Sequence, residues 1–127
     1  MIVLDTNVVS ELMKPAPDAR GQDWRLSLGA VRLTTTAITV AEIEYGLQRL
    51  PDGQRKAALQ ERFAAFAEAL AVLPLDDVSA RRAGQLRARR EAAGKPTTAS
   101  DMMIAGIAAV ADAMLATRNH KDFDGLP

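Results

Sequence analysis

Four acidic residues, far apart along the chain, have the types and surroundings that could support chemistry: Asp5, Glu42, Asp101 and Asp122. Asp5 directly follows Ile2–Leu4, an apolar run typical of a buried strand. Carboxylates that converge repel one another unless a cation lies between them, and their oxygens suit Mg²⁺ or Mn²⁺. A cation held in this way can activate water and neutralise charge on a phosphodiester under in-line attack.

The composition narrows the kind of metal site and the setting. The 127 residues include no cysteine and one histidine, His120, which excludes thiolate sites and imidazole-rich zinc sites. The absence of cysteine favours an intracellular, cytoplasmic setting. The longest apolar stretch, 102–115, is too short to span a bilayer, so no membrane association is expected. The net charge of zero argues against electrostatic binding of nucleic acid by the whole surface.

Strands and helices are predicted to alternate within a single domain, residues 1–127. β-Branched residues predict a buried strand at 2–4, and further short runs predict strands at 31–35, 72–75 and 113–117. Apolar periodicity with capping and stop residues predicts helices over 8–13, 18–29, 39–50, 54–70, 76–93 and 98–110. This alternation predicts an α/β fold in three layers, α/β/α, with a mostly parallel sheet of four strands.

That architecture would bring the four acids to one place. In an open parallel sheet, ligands bind at the carboxyl ends of the strands, where the helices also begin. Each acid alone has a structural explanation as well. Asp5 can be a helix cap or a turn residue after the strand, and Glu42 can complete a capping box with Thr39. Asp122 lies in a polar loop, where acids are common. Asp101 can complement a helix dipole. The joint placement at one edge is what favours a metal site.

Four segments occur in a characteristic order: IVLDTNVVSEL, TAITVAEIEYGL, SDMMIAGIAA and LATRNHKDF. They resemble the PIN-domain ribonucleases, with a close match to toxins of the VapC type, and the resemblance extends over nearly the whole chain. The resemblance implies a compact domain whose acids surround Mg²⁺ or Mn²⁺. It implies RNA hydrolysis that leaves a 5′-phosphate and a 3′-hydroxyl. It also implies a homodimer and a small antitoxin protein as partner.

Residue by residue, Asp5, Glu42 and Asp101 match the first three acids of the family. Asn119 occupies the position where many relatives have the fourth, so the resemblance assigns that role to Asp122. It implies that Asp5, Asp101 and Asp122 hold one or two divalent ions. Glu42 would bind the metal or a metal-bound water and act as general base.

Further polar residues match positions near these acids. Thr6, Asn7, Thr117 and Asn119 are expected to orient ligands or contact the substrate, and Arg118 to hold a phosphate. One departure concerns the end of the chain. Relatives usually continue past DFDGLP into a fifth strand, which is expected to be missing here, either because this sequence is truncated or because the strand has been lost.

Two other functions fit parts of the sequence. A catalytically inactive PIN-like module could dock an antitoxin or RNA without cutting; the missing fifth strand favours it and the retained acids oppose it. A magnesium-dependent phosphatase is disfavoured, because Asp5-Thr6-Asn7 lacks the second acid of a D-x-D motif. The sequence contains no glycine-rich phosphate-binding loop with a lysine, so nucleotide hydrolysis is unsupported.

Overall fold

The computed structural model describes residues 1–14 and 32–117, and within these residues strands and helices alternate. The helix predicted over 18–29 and the polar segment 118–127 lie outside the described residues. The strands and helices in chain order are β1 (Ile2–Leu4), α1 (Thr6–Leu12), β2 (Leu33–Thr36), α2 (Ala37–Gln48), α3 (Gln54–Ala69), β3 (Ala71–Leu73), α4 (Asp77–Ala92), α5 (Ala99–Val110) and β4 (Met114–Ala116).

The four strands form one sheet in the order β3-β2-β1-β4, and every pairing is parallel. The predicted α/β class and four-stranded sheet are therefore confirmed. Ile2 pairs with Leu33 on one side and with Met114 on the other, so β1 is central. Because all strands run the same way, their carboxyl ends share one edge of the sheet. Asp5 and Thr117 directly follow two neighbouring strands at that edge.

The core lies on both faces of the central strand. Ile2 and Leu4 pack with apolar residues of α1, α2 and α3, including Val9, Ile43 and Phe63. Val3 points to the opposite face, as strand alternation requires, and it too is fully buried. The pair α4 and α5 has a cluster of its own: Leu86, Met102 and Ala105. The three-layer prediction is confirmed.

The start of α2 differs from the prediction. The pattern T-x-x-E predicted Thr39 as the N-cap with Glu42 as its capping-box partner. Instead β2 runs to Thr36, whose extended backbone ends the strand and whose Oγ1 accepts from the Thr39 N–H at 3.1 Å. The helix begins at the next residue, so Thr39 is its third residue and Glu42 lies in its second turn.

Helix α4 has the predicted boundary signals at both ends. Asp76 caps α4 in a reciprocal capping box with Ser79. At its end, Gly94 adopts φ 71° and donates to the Glu91 carbonyl, while the Lys95 N–H donates to the Arg90 carbonyl. These two bonds form a Schellman motif.

Helices α4 and α5 approach closely at Gly106. A Cβ built there would lie 2.7 Å from the Ser79 carbonyl oxygen and 2.8 Å from the Ala83 nitrogen. Only glycine lets the two backbones come this near. Within residues 1–14 and 32–117, no helix combines the length and the hydropathy needed to cross a membrane.

Candidate active site at the carboxyl edge of the sheet

Asp5 lies where β1 meets α1 and is only 4% exposed. Its Oδ1 accepts from the Val8 N–H at 3.0 Å, so it caps α1. Its backbone N–H donates to the Ala116 carbonyl at 3.1 Å, which ties it to the end of β4. A carboxylate has about four lone-pair sites, and among the described residues the capping bond occupies one of them, which leaves acceptor capacity for a cation. The capping role and a metal-binding role are therefore compatible in Asp5.

Glu42 lies beside the first residue of α1. Thr6 Oγ1 donates to Glu42 Oε1 at 2.7 Å, across 36 positions of sequence. The prediction that Glu42 lies in the first turn of its helix is wrong, because the helix starts earlier than expected. The capping-box explanation of Glu42 is wrong for the same reason. The structure instead joins Glu42 to Thr6, the residue that follows Asp5.

Asp101 lies in the first turn of α5, as predicted, and is half-buried. Its backbone N–H donates to Thr98 Oγ1 at 3.1 Å, so the loose T-x-x-D capping pattern is confirmed for the threonine side chain. The helix that Asp101 opens leads to β4, whose end is bonded to Asp5. Thr117 follows β4 and is half-buried, whereas Asn7 on α1 is exposed.

The described acids do not by themselves form a complete metal site. Within residues 1–14 and 32–117, no three acidic or histidine side chains are grouped so that they could hold a metal ion. Asp122, predicted as the fourth acid, lies outside the described residues, as do Arg118 and Asn119. The available donors are carboxylate and hydroxyl oxygens, which in kind fit a hard cation such as Mg²⁺ or Mn²⁺. Asp5 is the acid best placed to contribute, because it is buried at the sheet edge.

Two buried threonines near Glu42 were missed as functional candidates. Thr36 and Thr39 are both fully buried, and their hydroxyl oxygens are 3.3 Å apart. The Thr39 oxygen is also 3.3 Å from Thr6 Oγ1. The run of polar residues TTT at 34–36, inside a strand with both neighbours paired, was the available signal. Buried hydroxyls need partners, and these lead to Glu42.

A cavity of about 440 Å³ adjoins this site between α1, α2 and α3. Thr6 and Glu42 belong to its lining, together with the basic residues Lys14, Arg55 and Arg62. The remaining lining residues are mostly apolar, among them Met13, Ile43, Leu47, Leu50 and Leu59. An apolar cavity with a few charged groups is typical of a binding groove.

The chain is similar to known proteins over nearly its whole length, in sequence and in fold. A sequence model of the PIN domain matches residues 2–126. VapC ribonuclease Y4jK of Sinorhizobium fredii (strain NBRC 101917 / NGR234) is 39% identical, over 98% of this chain and 91% of the relative. Toxin FitB of Neisseria gonorrhoeae is 36% identical, over 97% of this chain and 91% of the relative. The crystal structure of VapBC2 from Rickettsia felis bound to a promoter DNA fragment superposes with a TM-score of 0.84 at 26% identity, covering 100% of this chain and 94% of that one.

Proposed function

The chain belongs to the PIN domain family, and from this premise we propose that it is a metal-dependent endoribonuclease, the toxin of a toxin–antitoxin pair. Its similarity to a protein named VapC ribonuclease and to one named Toxin FitB supports this, since both alignments span nearly the whole chain. The structural observation that carries the proposal is the link between Asp5 and Glu42. The buried Asp5 at the end of β1 is followed by Thr6, whose hydroxyl bonds Glu42 Oε1 at 2.7 Å.

In this proposal Asp5, Asp101 and Asp122 hold Mg²⁺ or Mn²⁺. When bound, such a cation supplies Lewis-acid activation of water and neutralises charge on the phosphodiester. Glu42 orients the attacking water and accepts its proton at Oε2, because Oε1 is already bonded to Thr6. The water oxygen bonds to phosphorus as the P–O3′ bond breaks. The 3′-oxygen takes a proton from solvent and leaves as a hydroxyl, and the phosphate stays on the 5′ side. Asn7, Thr117, Arg118 and Asn119 are proposed to contact the RNA.

The proposed partner is a small antitoxin protein that docks in the groove between α1, α2 and α3. A segment seated there would cover Thr6 and Glu42, because both belong to the groove lining. Gly46 also lines the groove, and a Cβ added to it would meet no atom within 4 Å. We expect Gly46→Arg to fill the groove and abolish suppression by the co-expressed antitoxin, whereas Gly84→Arg on α4 should leave suppression intact. Suppression of Gly46→Arg to the wild-type degree would place the partner elsewhere.

We also propose that the chain forms a homodimer.

The experiment that tests the nuclease proposal uses a panel of structured RNAs with Mg²⁺, Mn²⁺ or EDTA. The decisive variant is Asp5→Asn, because asparagine caps helices as well as aspartate does and should preserve the start of α1. We expect the wild type to cut in metal, EDTA to stop it, and Asp5→Asn to be folded but inactive. Cleavage by Asp5→Asn at the wild-type rate would remove Asp5 from the catalytic site.

A further inference from the structure

Three threonine hydroxyls lead from the sheet to Glu42. Thr36 Oγ1 is 3.3 Å from Thr39 Oγ1, Thr39 Oγ1 is 3.3 Å from Thr6 Oγ1, and Thr6 Oγ1 is 2.7 Å from Glu42 Oε1. Thr36 and Thr39 are 0% exposed, whereas the bond to Glu42 is at the surface. This row of hydrogen-bonded hydroxyls, Thr36–Thr39–Thr6, therefore begins in the interior and ends on Glu42, an acid of the proposed active site.

The carboxylate determines the direction of every proton in this row. An ionised carboxylate only accepts hydrogen bonds, and a hydroxyl has a single proton. Thr6 must therefore donate its one proton to Glu42. Because Thr6 has no second proton, Thr39 is the donor in the contact between Thr39 and Thr6. By the same argument, Thr36 donates to Thr39. The Thr36 oxygen in turn accepts from the Thr39 N–H at 3.1 Å, so each hydroxyl both donates and accepts.

We propose that Thr39 and Thr36 are positioning residues that, through Thr6, hold the Glu42 carboxylate in its working orientation. Capping of α2 requires only the Thr36 oxygen as an acceptor, and the Thr39 hydroxyl plays no part in it. The Thr39 hydroxyl instead bridges Thr36 to Thr6. With Oε1 held by Thr6, Glu42 presents Oε2 to water and substrate. An exposed glutamate on a helix otherwise samples several rotamers, so the row replaces that freedom with one orientation.

The matched control for this proposal lies on the same strand as Thr36. Thr34 is also 0% exposed, and its hydroxyl donates to the Ile2 carbonyl at 3.0 Å rather than to any residue of the row. Valine has nearly the shape of threonine without the hydroxyl. Thr34→Val and Thr39→Val therefore each remove one buried hydrogen-bonding group, and only Thr39→Val interrupts the row.

The role as a positioning residue rests on the proposed nuclease function, so the experiment has two independent readouts. The first is the rate of RNA cleavage at saturating Mn²⁺. We expect Thr39→Val to lower kcat by about 10-fold, in the range found for residues that orient catalytic groups, with little change in KM. Thr39→Ser restores the hydroxyl and should restore kcat, and Thr34→Val should keep the wild-type kcat.

The second readout is the mobility of the Glu42 side chain, measured by ¹³C relaxation without RNA or metal. Mobility should rise in Thr39→Val and stay at the wild-type level in Thr39→Ser and Thr34→Val. Unchanged Glu42 mobility in Thr39→Val overturns the positioning role, whatever the activity. Increased mobility together with a wild type that cuts no RNA would support the positioning of Glu42 and reject the nuclease function. Equal losses of kcat in Thr34→Val and Thr39→Val would also overturn the proposal, because a general loss of packing would then explain both.

Discussion

Thr6 and Glu42 are joined by a hydrogen bond of 2.7 Å between the first residue of α1 and the second turn of α2. Thr6 is covalently attached to Asp5, the buried cap of α1, so this bond holds two of the predicted acids in one neighbourhood. The bond also crosses between two helices that pack on the same face of β1. The geometry of the proposed site therefore depends on how α1 and α2 pack.

Replacing Glu42 tests whether its carboxylate takes part in the reaction. Glu42→Gln should lower kcat for RNA cleavage by about 10²-fold or more, since a positioned general base contributes that much. The change is at an exposed residue, so the melting temperature should barely move. Glu44→Gln is the matched control, because Glu44 lies on the same helix and contacts only Gln48 among the described hydrogen bonds. A fully active Glu42→Gln would exclude general-base catalysis by Glu42.

Divalent metal should stabilise the folded chain through Asp5. A ligand at 100 times its Kd stabilises a protein by about 2.7 kcal/mol, so saturating Mn²⁺ should raise the wild-type Tm measurably. Asp5→Asn should lose this increase while retaining its cap on α1. Asp52→Asn removes an exposed acid that pairs with Lys56 and should keep the increase. The same Mn²⁺ response in all three proteins would show that the ion binds elsewhere.

The contact between α4 and α5 predicts opposite effects for two glycines. Gly106→Ala would place a Cβ 2.7 Å from the Ser79 carbonyl, and because the obstacle is backbone, the helices must separate. We expect a loss of about 1–3 kcal/mol in the free energy of unfolding. A Cβ at Gly84 meets nothing within 4 Å, so Gly84→Ala should stabilise the chain by about 0.5–1 kcal/mol. Urea denaturation of both variants measures this, and an unchanged midpoint for Gly106→Ala would contradict the close approach.

The cap of α5 links stability to the placement of Asp101. Thr98→Ala removes the acceptor for the Asp101 N–H and should cost about 1 kcal/mol of stability. The loosened first turn should also reduce cleavage, because Asp101 lies in it. Thr97→Ala is the control, since the Thr97 hydroxyl donates a 3.4 Å bond to the Thr98 carbonyl and does not cap the helix. If thermal melting showed equal losses for both variants, the cap would have no special role.

Asp76 predicts a pH dependence of stability. The Ser79 backbone N–H, followed by the Ser79 hydroxyl, holds the pKa of Asp76 below its usual 3.8. A carboxyl whose pKa is lower in the folded chain stabilises the fold above its unfolded pKa, and this contribution disappears as pH falls through the folded pKa. Wild type should therefore lose stability below pH 3.8 more steeply than Asp76→Asn, which caps without titrating. Parallel pH profiles of the two proteins in urea denaturation would contradict this expectation.

Local signals predicted much of the fold. The structure confirms three predicted element boundaries to within one or two residues. These are the strand before Asp5, the start of α4 at its cap Asp76, and the end of α4 at Gly94. These signals depend on hydrogen bonds within a single turn, so the nearby sequence contains the whole interaction. The alternation of strands and helices then implies the parallel sheet and its common carboxyl edge, because parallel strands need long crossover connections, which are usually helices.

The T-x-x-E pattern at Thr39 shows where local signals fail. The same residues could cap a helix at Thr39 or continue a helix that starts at Ala37. The choice depends on how far β2 extends, and β2 reaches Thr36 because it pairs with β3 through Leu73. That pairing joins residues far apart in sequence, so no window around Thr39 contains it. The sequence pattern therefore predicts a cap at Thr39, whereas the structure places Thr39 in the row of hydroxyls.

The amino-acid sequence is enough to identify the acids, the α/β alternation and the family resemblance, because these depend on residue types, periodicity and order. Three relationships are visible in the folded chain alone: Glu42 bonds Thr6, Thr36 and Thr39 support this bond, and Gly106 lies against Ser79. Each of these relationships joins residues on different elements. Their distances are determined by the packing of helices on a twisted sheet, and that packing depends on all the side chains of the core together.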